Sequence, residues 1–210
     1  MSKYTAKLLG PLAMGNGKRR ALRIKSPPTD GAGLHLPVTM PTTNSPLIVF
    51  AGLPGVGKTT LARRLAERLG AVYLRIDTIE GALLKCGMSV TVEGYAVAYG
   101  LAEDNLKLGL GVVVDGCNPV RETREAWRSI SAQQGVRHVD IEVVCSNTEE
   151  HRQRVESRLS LTQKHHNPTW AEVQSREYED WTWPRWSIDT AGRPNETLVD
   201  ELQEKLSGTE

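Results

Sequence analysis

One stretch of the chain spaces its residues so that they could hold a chain of phosphates. Gly52-Leu53-Pro54-Gly55-Val56-Gly57-Lys58-Thr59 fits the pattern G-x-x-x-x-G-K-[ST]. In that pattern the glycines let successive backbone N–H groups converge on phosphate oxygens. The lysine can reach the β- and γ-phosphates, and the hydroxyl after it can ligate Mg²⁺. A helix starting near Gly57 would point its positive end at the same anion. A plain strand-to-helix turn rich in glycine has no need of Lys followed by Thr. The nucleotide-binding candidates are therefore Gly52, Pro54, Gly55, Val56, Gly57, Lys58, Thr59 and Thr60.

Two carboxylates can join that loop. The run Val72-Tyr73-Leu74-Arg75-Ile76 is followed by Asp77, and Val112-Val113-Val114 by Asp115-Gly116. In a parallel sheet both carboxyl ends lie on the edge where ligands collect. Beside a nucleoside triphosphate one acid would order the water shell of Mg²⁺, and the other would take a proton from an attacking hydroxyl. The alternative is that each Asp only caps the helix after it, as Asp77 before Thr78-Ile79-Glu80 could do.

The elements that position these groups alternate between strands and helices. Leu47–Ala51 is a short apolar run suited to a strand covered on both faces. In the helix after it Leu61, Ala62, Leu65, Ala66 and Leu69 share one face, and Gly70 is the stop. A second strand covers 72–76, a largely helical region spans 78–109, and a third strand covers 112–114. Asn118 is placed to cap a helix with Pro119 in its first turn and Gly135 at its end. A fourth strand runs 139–145. Ser146 with Glu149, and Thr169 with Glu172, read as capping boxes. A short fifth strand at 186–189 precedes a last helix over 195–206. The expected fold is α/β, a five-stranded parallel sheet with helices on both faces, and with the phosphate-binding loop at its edge a P-loop NTPase.

The P-loop, Arg75-Ile76-Asp77, Val113-Val114-Asp115-Gly116-Cys117-Asn118-Pro119, Arg121 and Arg124-Glu125-Ala126-Trp127 together resemble the small P-loop kinases. The likeness is to the kinase domain of polynucleotide kinase and its relatives, often labelled AAA-type ATPases. Chloramphenicol phosphotransferase, zeta toxin, gluconate kinase and shikimate kinase are similar in plan. The resemblance covers about residues 46–206. It implies Asp77 as general base or anchor of the acceptor hydroxyl, Asp115 with Thr59 at the metal, and Lys58 on the phosphates. It implies Arg154 and Arg158 as lid arginines leaning over the phosphates, from one face of a helix. Ile188-Asp189-Thr190-Ala191-Gly192-Arg193 resembles the strand-five loop that packs on adenine. ATP and Mg²⁺ are the cofactors so implied, and the acceptor enters between 78–109 and the lid.

Other features leave alternatives open. His165 and His166 in the lid could bind a metal as a pair, but no third ligand is in view. Trp170, Trp181, Trp183 and Trp186 offer either a stacking platform for a base or packing of the lid helix on the core. Tyr95 and Tyr99, one turn apart, are either pocket wall or core.

The chain has 210 residues, 39% hydrophobic and 24% charged, an ordinary composition for a globular domain. It lacks an apolar run long enough to span a membrane. The three cysteines have no CxxC spacing, which argues against a disulfide framework and for a cytoplasmic location. Residues 1–45 hold seven basic residues against one acid, leaving 19 against 24 in the remainder. The first 45 residues, rich in Pro, Gly, Ser and Thr, read as a flexible basic tail on a kinase domain at 46–210. The mildly acidic body disfavours long nucleic acid as a partner, although a 5′ end stays possible. The expected function is ATP-dependent phosphotransfer to a hydroxyl. The alternatives are an ATPase or nucleotide switch without an acceptor, or a non-catalytic ATP-binding module.

Overall fold

The computed structural model describes residues 45–161 and 167–208. The expected basic tail, but for Ser45, and the His165–His166 pair lie outside them.

Five strands form one parallel sheet: β1 (Leu47–Ala51), β2 (Val72–Arg75), β3 (Val112–Asp115), β4 (His138–Val144) and β5 (Trp186–Asp189). Their order is β2-β3-β1-β4-β5. The helices between them are α1 (Lys58–Leu69), α2 (Ile76–Lys85), α3 (Glu93–Lys107), α4 (Arg121–Gln134), α5 (Thr148–Leu161), α6 (Trp170–Gln174) and α7 (Asn195–Ser207). The five-stranded parallel sheet with helices on both faces is as expected.

Alternation along the strands divides the core in two. Ile48, Phe50, Val113, Ile141, Val143 and Ile188 face one way, against Leu61 and Leu65 of α1 and Leu198 and Leu202 of α7. Leu47, Val49, Val112, Val114 and Leu74 face the other, against Ala98 and Ala102 of α3 and Trp127 and Ile130 of α4. β1 is fully buried between its neighbours, as its unbroken apolar run requires. The register sets Phe50 beside Asp115, and Asp115 beside Arg75. The chain steps from β1 outward to β2, back to β3, then across β1 to β4, so the crevice beyond the end of β1 lies at the topological switch point.

Gly70 and Gly135 end α1 and α4 in the left-handed conformation, as expected. Thr169 and Glu172 form the full capping box of α6. Four local expectations differ. Leu69 lies at the end of α1, 37% exposed, beyond the reach of the sheet. Ile76 and Asp77 belong to α2, because β2 stops at Arg75 where its pairing with β3 ends. Asn118 does not cap α4, which starts three residues later; it is fully buried with φ +43. Ser146 does not cap α5: Asn147 Oδ1 accepts from Glu150 N, while Ser146 N donates to Asp189 Oδ1.

Candidate functional site

The loop between β1 and α1 is held from four sides. Gly52 has φ +134, and a Cβ there would lie 2.2 Å from Val143 O, so only glycine fits beside β4. Its N–H donates to Cys117 O at 3.1 Å, and Cys117 Sγ lies 3.2 Å from Gly52 O. Asn118 Nδ2 donates to Phe50 O, the carbonyl two residues before the loop. From the α5 side, the buried His151 donates from Nε2 to Pro54 O at 2.8 Å. A carbonyl can only accept, so His151 carries its hydrogen on Nε2. Gly55, at φ +91, lies against the same helix, where a Cβ would meet Val155 Cγ2 at 2.4 Å. From the β5 side, Thr190 Oγ1 reaches Val56 O at 2.9 Å.

Within that frame the N-terminus of α1 has no side-chain cap. Its first N–H groups are left for an external acceptor, which a phosphate supplies. Lys58, the first residue of α1, donates from Nζ to Leu53 O at 2.8 Å, across the loop. Thr59 and Thr60 follow in the same turn.

The two predicted acids differ sharply in setting. The Asp115 side chain is 3% exposed, whereas that of Asp77, in the first turn of α2, is 71% exposed. Tyr73 donates its hydroxyl to Asp115 Oδ2 at 2.8 Å. Burial, then Asp115 itself, pushes the Tyr73 phenol well above its usual range, so it stays a donor. Arg75 bridges the two acids. Its Nη2 bonds Asp77 Oδ2 at 2.9 Å, and its Nε lies 3.5 Å from Asp115 Oδ2. One turn after Asp77, Glu80 lodges against Gly94 of α3, where an added Cβ would meet Glu80 Cγ at 2.4 Å. Burial first, then Asp77, pushes the Glu80 carboxyl above its usual range, and Arg176 opposes the shift.

Arg154 does not stand free over the loop. It pairs with Glu150 at 2.5 Å and donates to Thr190 Oγ1 and O at 2.7 and 3.1 Å, which ties α5 to the turn after β5. Arg158 is exposed on α5, and its carbonyl accepts from Asn167 Nδ2.

The segment after α6 straps onto the start of α4. Glu179 N donates to Pro119 O, and the Glu179 carboxylate accepts from Arg121 N at 2.6 Å, capping a helix that has no cap of its own. Arg124, 1% exposed, donates to Asn118 O, Pro119 O and Asp180 O. Its guanidinium also stacks 4.1 Å from the Trp181 ring and 4.8 Å from that of Tyr178. Trp181 and Trp183 donate to Glu142 and Asp140 on β4. Trp170 meets His151 edge-on. These rings are packing elements. Tyr95 and Tyr99 pack on the core beside α4, and Tyr95 Oη accepts from Asn118 N.

Sequence reasoning gave Tyr73 and His151 no part in this arrangement, and it had Arg75, Arg124 and Thr190 only as members of matching motifs, without these contacts. Arg75 carried a signal, standing two residues before a candidate acid. His151 carried none, because its partner lies 97 residues away.

The oxygen donors at this edge suit a hard cation. A threonine hydroxyl at α1 and a buried carboxylate at the end of β3 match Mg²⁺, which takes one or two protein oxygens with phosphates and water. Among the described residues no three His, Cys, Asp or Glu side chains cluster into a metal cage. No helix among them is long and apolar enough to cross a membrane.

The chain is similar to known proteins on these same elements. A family model described as an AAA domain matches residues 47–176, more than half the chain. An adenylyl-sulfate kinase of Chloroflexus aurantiacus is 35% identical over 98 residues, covering 41% of this chain and 51% of that protein. The chain thus aligns with only about half the length of that relative. The Mycobacterium tuberculosis APS kinase in complex with AMPPNP and APS shares the fold, with a TM-score of 0.58 and 18% identity over 79% of this chain and 99% of that one. A gluconokinase from Sinorhizobium meliloti does so with a TM-score of 0.57 and 18% identity over 78% and 92%. On the family match over residues 47–176 the chain belongs to the AAA domain family, and the P-loop with the parallel sheet that carries it gives it the P-loop NTPase fold.

Proposed function

We propose that the chain is an ATP-dependent phosphotransferase that moves the γ-phosphoryl group of Mg·ATP to the hydroxyl of an acceptor. The observation that carries this reading is the meeting of three features at one sheet edge. These are an uncapped helix N-terminus with Lys58, a buried acid at the end of β3, and an exposed acid at the start of α2. The relatives named above, an adenylyl-sulfate kinase among them, support the same class.

In this reading the backbone of Gly52–Thr60 and Lys58 hold the phosphates. Thr59 and Asp115 would hold Mg²⁺, which would neutralise phosphate charge. Asp77 lies on the acceptor side and takes or orients the hydroxyl proton, which turns a poor nucleophile into a usable one. Arg75 holds Asp77 in place through its hydrogen bond from Nη2. Arg154, fixed on Thr190, belongs to the nucleotide side, and Arg158 is a candidate for the phosphates. The catalytic domain is assigned to 46–210, with the basic segment 1–45 as an appendage.

The test is ADP formation by the full chain from Mg·ATP, alone and with a panel of sugars, amino alcohols, sugar acids and 5′-hydroxyl oligonucleotides. One acceptor should raise ADP formation by tenfold or more, the scale of a step that needs its nucleophile. Equal ADP release with and without every acceptor would favour an ATPase or switch. Tight ATP binding without turnover would favour a binding module.

A further inference from the structure

We infer that Arg176 is a further catalytic residue, whose guanidinium contacts the phosphoryl group in flight from the acceptor side of the P-loop. The inference rests on the phosphotransfer reading. Arg176 lies two residues after the end of α6 and opens the strap that Glu179 and Arg124 fasten onto the start of α4. Its Nη1 lies 3.9 Å from Cys117 Sγ, and Cys117 holds Gly52, the first glycine of the loop, through both its carbonyl and its thiol. The charge of Arg176 also acts on Glu80, one turn from Asp77. The guanidinium therefore lies against the loop after β3 that holds Gly52, and its charge reaches the helix that carries Asp77.

Its charge is also available. Arg75 is engaged by Asp77 and Asp115, and Arg154 by Glu150. No carboxylate of the described residues forms an ion pair with Arg176, and the residue is exposed. In the transfer, the bond from the γ-phosphorus to the bridging oxygen breaks and its electron pair stays on ADP. The acceptor oxygen bonds to phosphorus and its proton passes to Asp77. Negative charge spreads over the three equatorial oxygens, and a planar guanidinium fork matches two of them.

The test uses the full chain, with ADP, Mg²⁺ and aluminium fluoride, which mimics the planar phosphoryl group. Calorimetry measures ADP affinity with and without the fluoride. The wild type should bind ADP about 100-fold tighter with it, the lower end of the range for transition-state analogues. Arg176→Ala should keep its melting temperature and its affinity for ADP alone, and lose most of the fluoride gain. Arg176→Lys should recover part of it, and Arg152→Ala, which removes an exposed charge from a different element, α5, should keep it whole. An undiminished gain in Arg176→Ala would overturn the assignment. No gain in the wild type would overturn the phosphotransfer reading and this inference with it.

Discussion

Arg75 spans two carboxylates of opposite character, one buried at the end of β3 and one exposed at the start of α2. A substitution at each acid should separate their roles. Asp77→Asn keeps size and hydrogen bonding to Arg75 but removes the base. It should cut acceptor phosphorylation by roughly 10²–10⁴, the usual contribution of a positioned general base, with ATP affinity within a few-fold. Asp115→Asn should instead raise the Mg²⁺ concentration needed for nucleotide binding, and should lower ATP hydrolysis without acceptor as well. Initial rates against Mg²⁺ and calorimetric ATP binding read both. Near-parental transfer by Asp77→Asn would remove its general-base role. The loop residues were legible because their spacing is itself the mechanism: glycines where backbone must approach phosphate, then Lys and Thr at the helix start. The residues that hold the loop were not. His151 finds Pro54, and Tyr73 finds Asp115 at a separation of 42, only once the sheet has assembled.

At the scale of elements, the local cap of α6 was readable, that of α5 reads one residue early, and the cap of α4, supplied from afar, was not readable. Thr169 and Glu172 satisfy each other locally. The start of α4 is capped by Glu179, 58 residues on, so the local pattern misled and Asn118 was given a task it does not have. α3 offers a test of such local bonding. Glu93, its first residue, turns back to accept from Thr91 N and Val92 N at 2.6 and 3.0 Å. Those backbone donors, Thr91 foremost, hold its carboxyl down at about 2. A carboxyl depressed on folding stabilises the fold above its unfolded value near 4.5, and that contribution is lost as pH falls toward 2. Glu93→Gln should therefore lower the melting temperature slightly at pH 6. The gap to wild type should close as pH falls from about 4.5 to about 2, the window over which the linkage acts. A gap that stays constant over that range would mean the carboxylate charge has no part in holding the start of α3.

For the whole molecule, alternating strands and helices predicted a parallel sheet, because only crossovers can join parallel neighbours. The covering of β4 was not predicted. His138, Asp140 and Glu142 alternate with Val139, Ile141 and Val143, a pattern that reads as one solvated face. Yet Asp140 and Glu142 are 4% and 7% exposed. Arg128, Trp181, Trp183 and Arg185 reach them from α4 and the strap. Arg124 lies where that cover joins the functional edge, since it binds Asn118 O and Pro119 O on one side and stacks on Tyr178 and Trp181 on the other. It holds this place with carbonyl acceptors and aromatic faces. Arg124→Met keeps the apolar bulk and takes the guanidinium donor from Asn118 O and Asp180 O, while Pro119 O keeps Glu179 N. Orphaned buried acceptors cost about 1–3 kcal/mol, and lost guanidinium stacking about 1 more. For a domain of this size the melting temperature should fall by roughly 5–12 °C. Because Asn118 also holds Phe50 O, the damage should reach the P-loop: ATP affinity should weaken while the remaining turnover keeps its acceptor preference. Arg124→Lys retains the charge without the fork and should recover only part of the loss. Trp181→Ala in the Arg124→Met background should cost less than Trp181→Ala alone, since their shared contact is already gone. Thermal melts of the four chains measure that coupling. Strict additivity would mean that the strap and the β3–α4 loop are held independently.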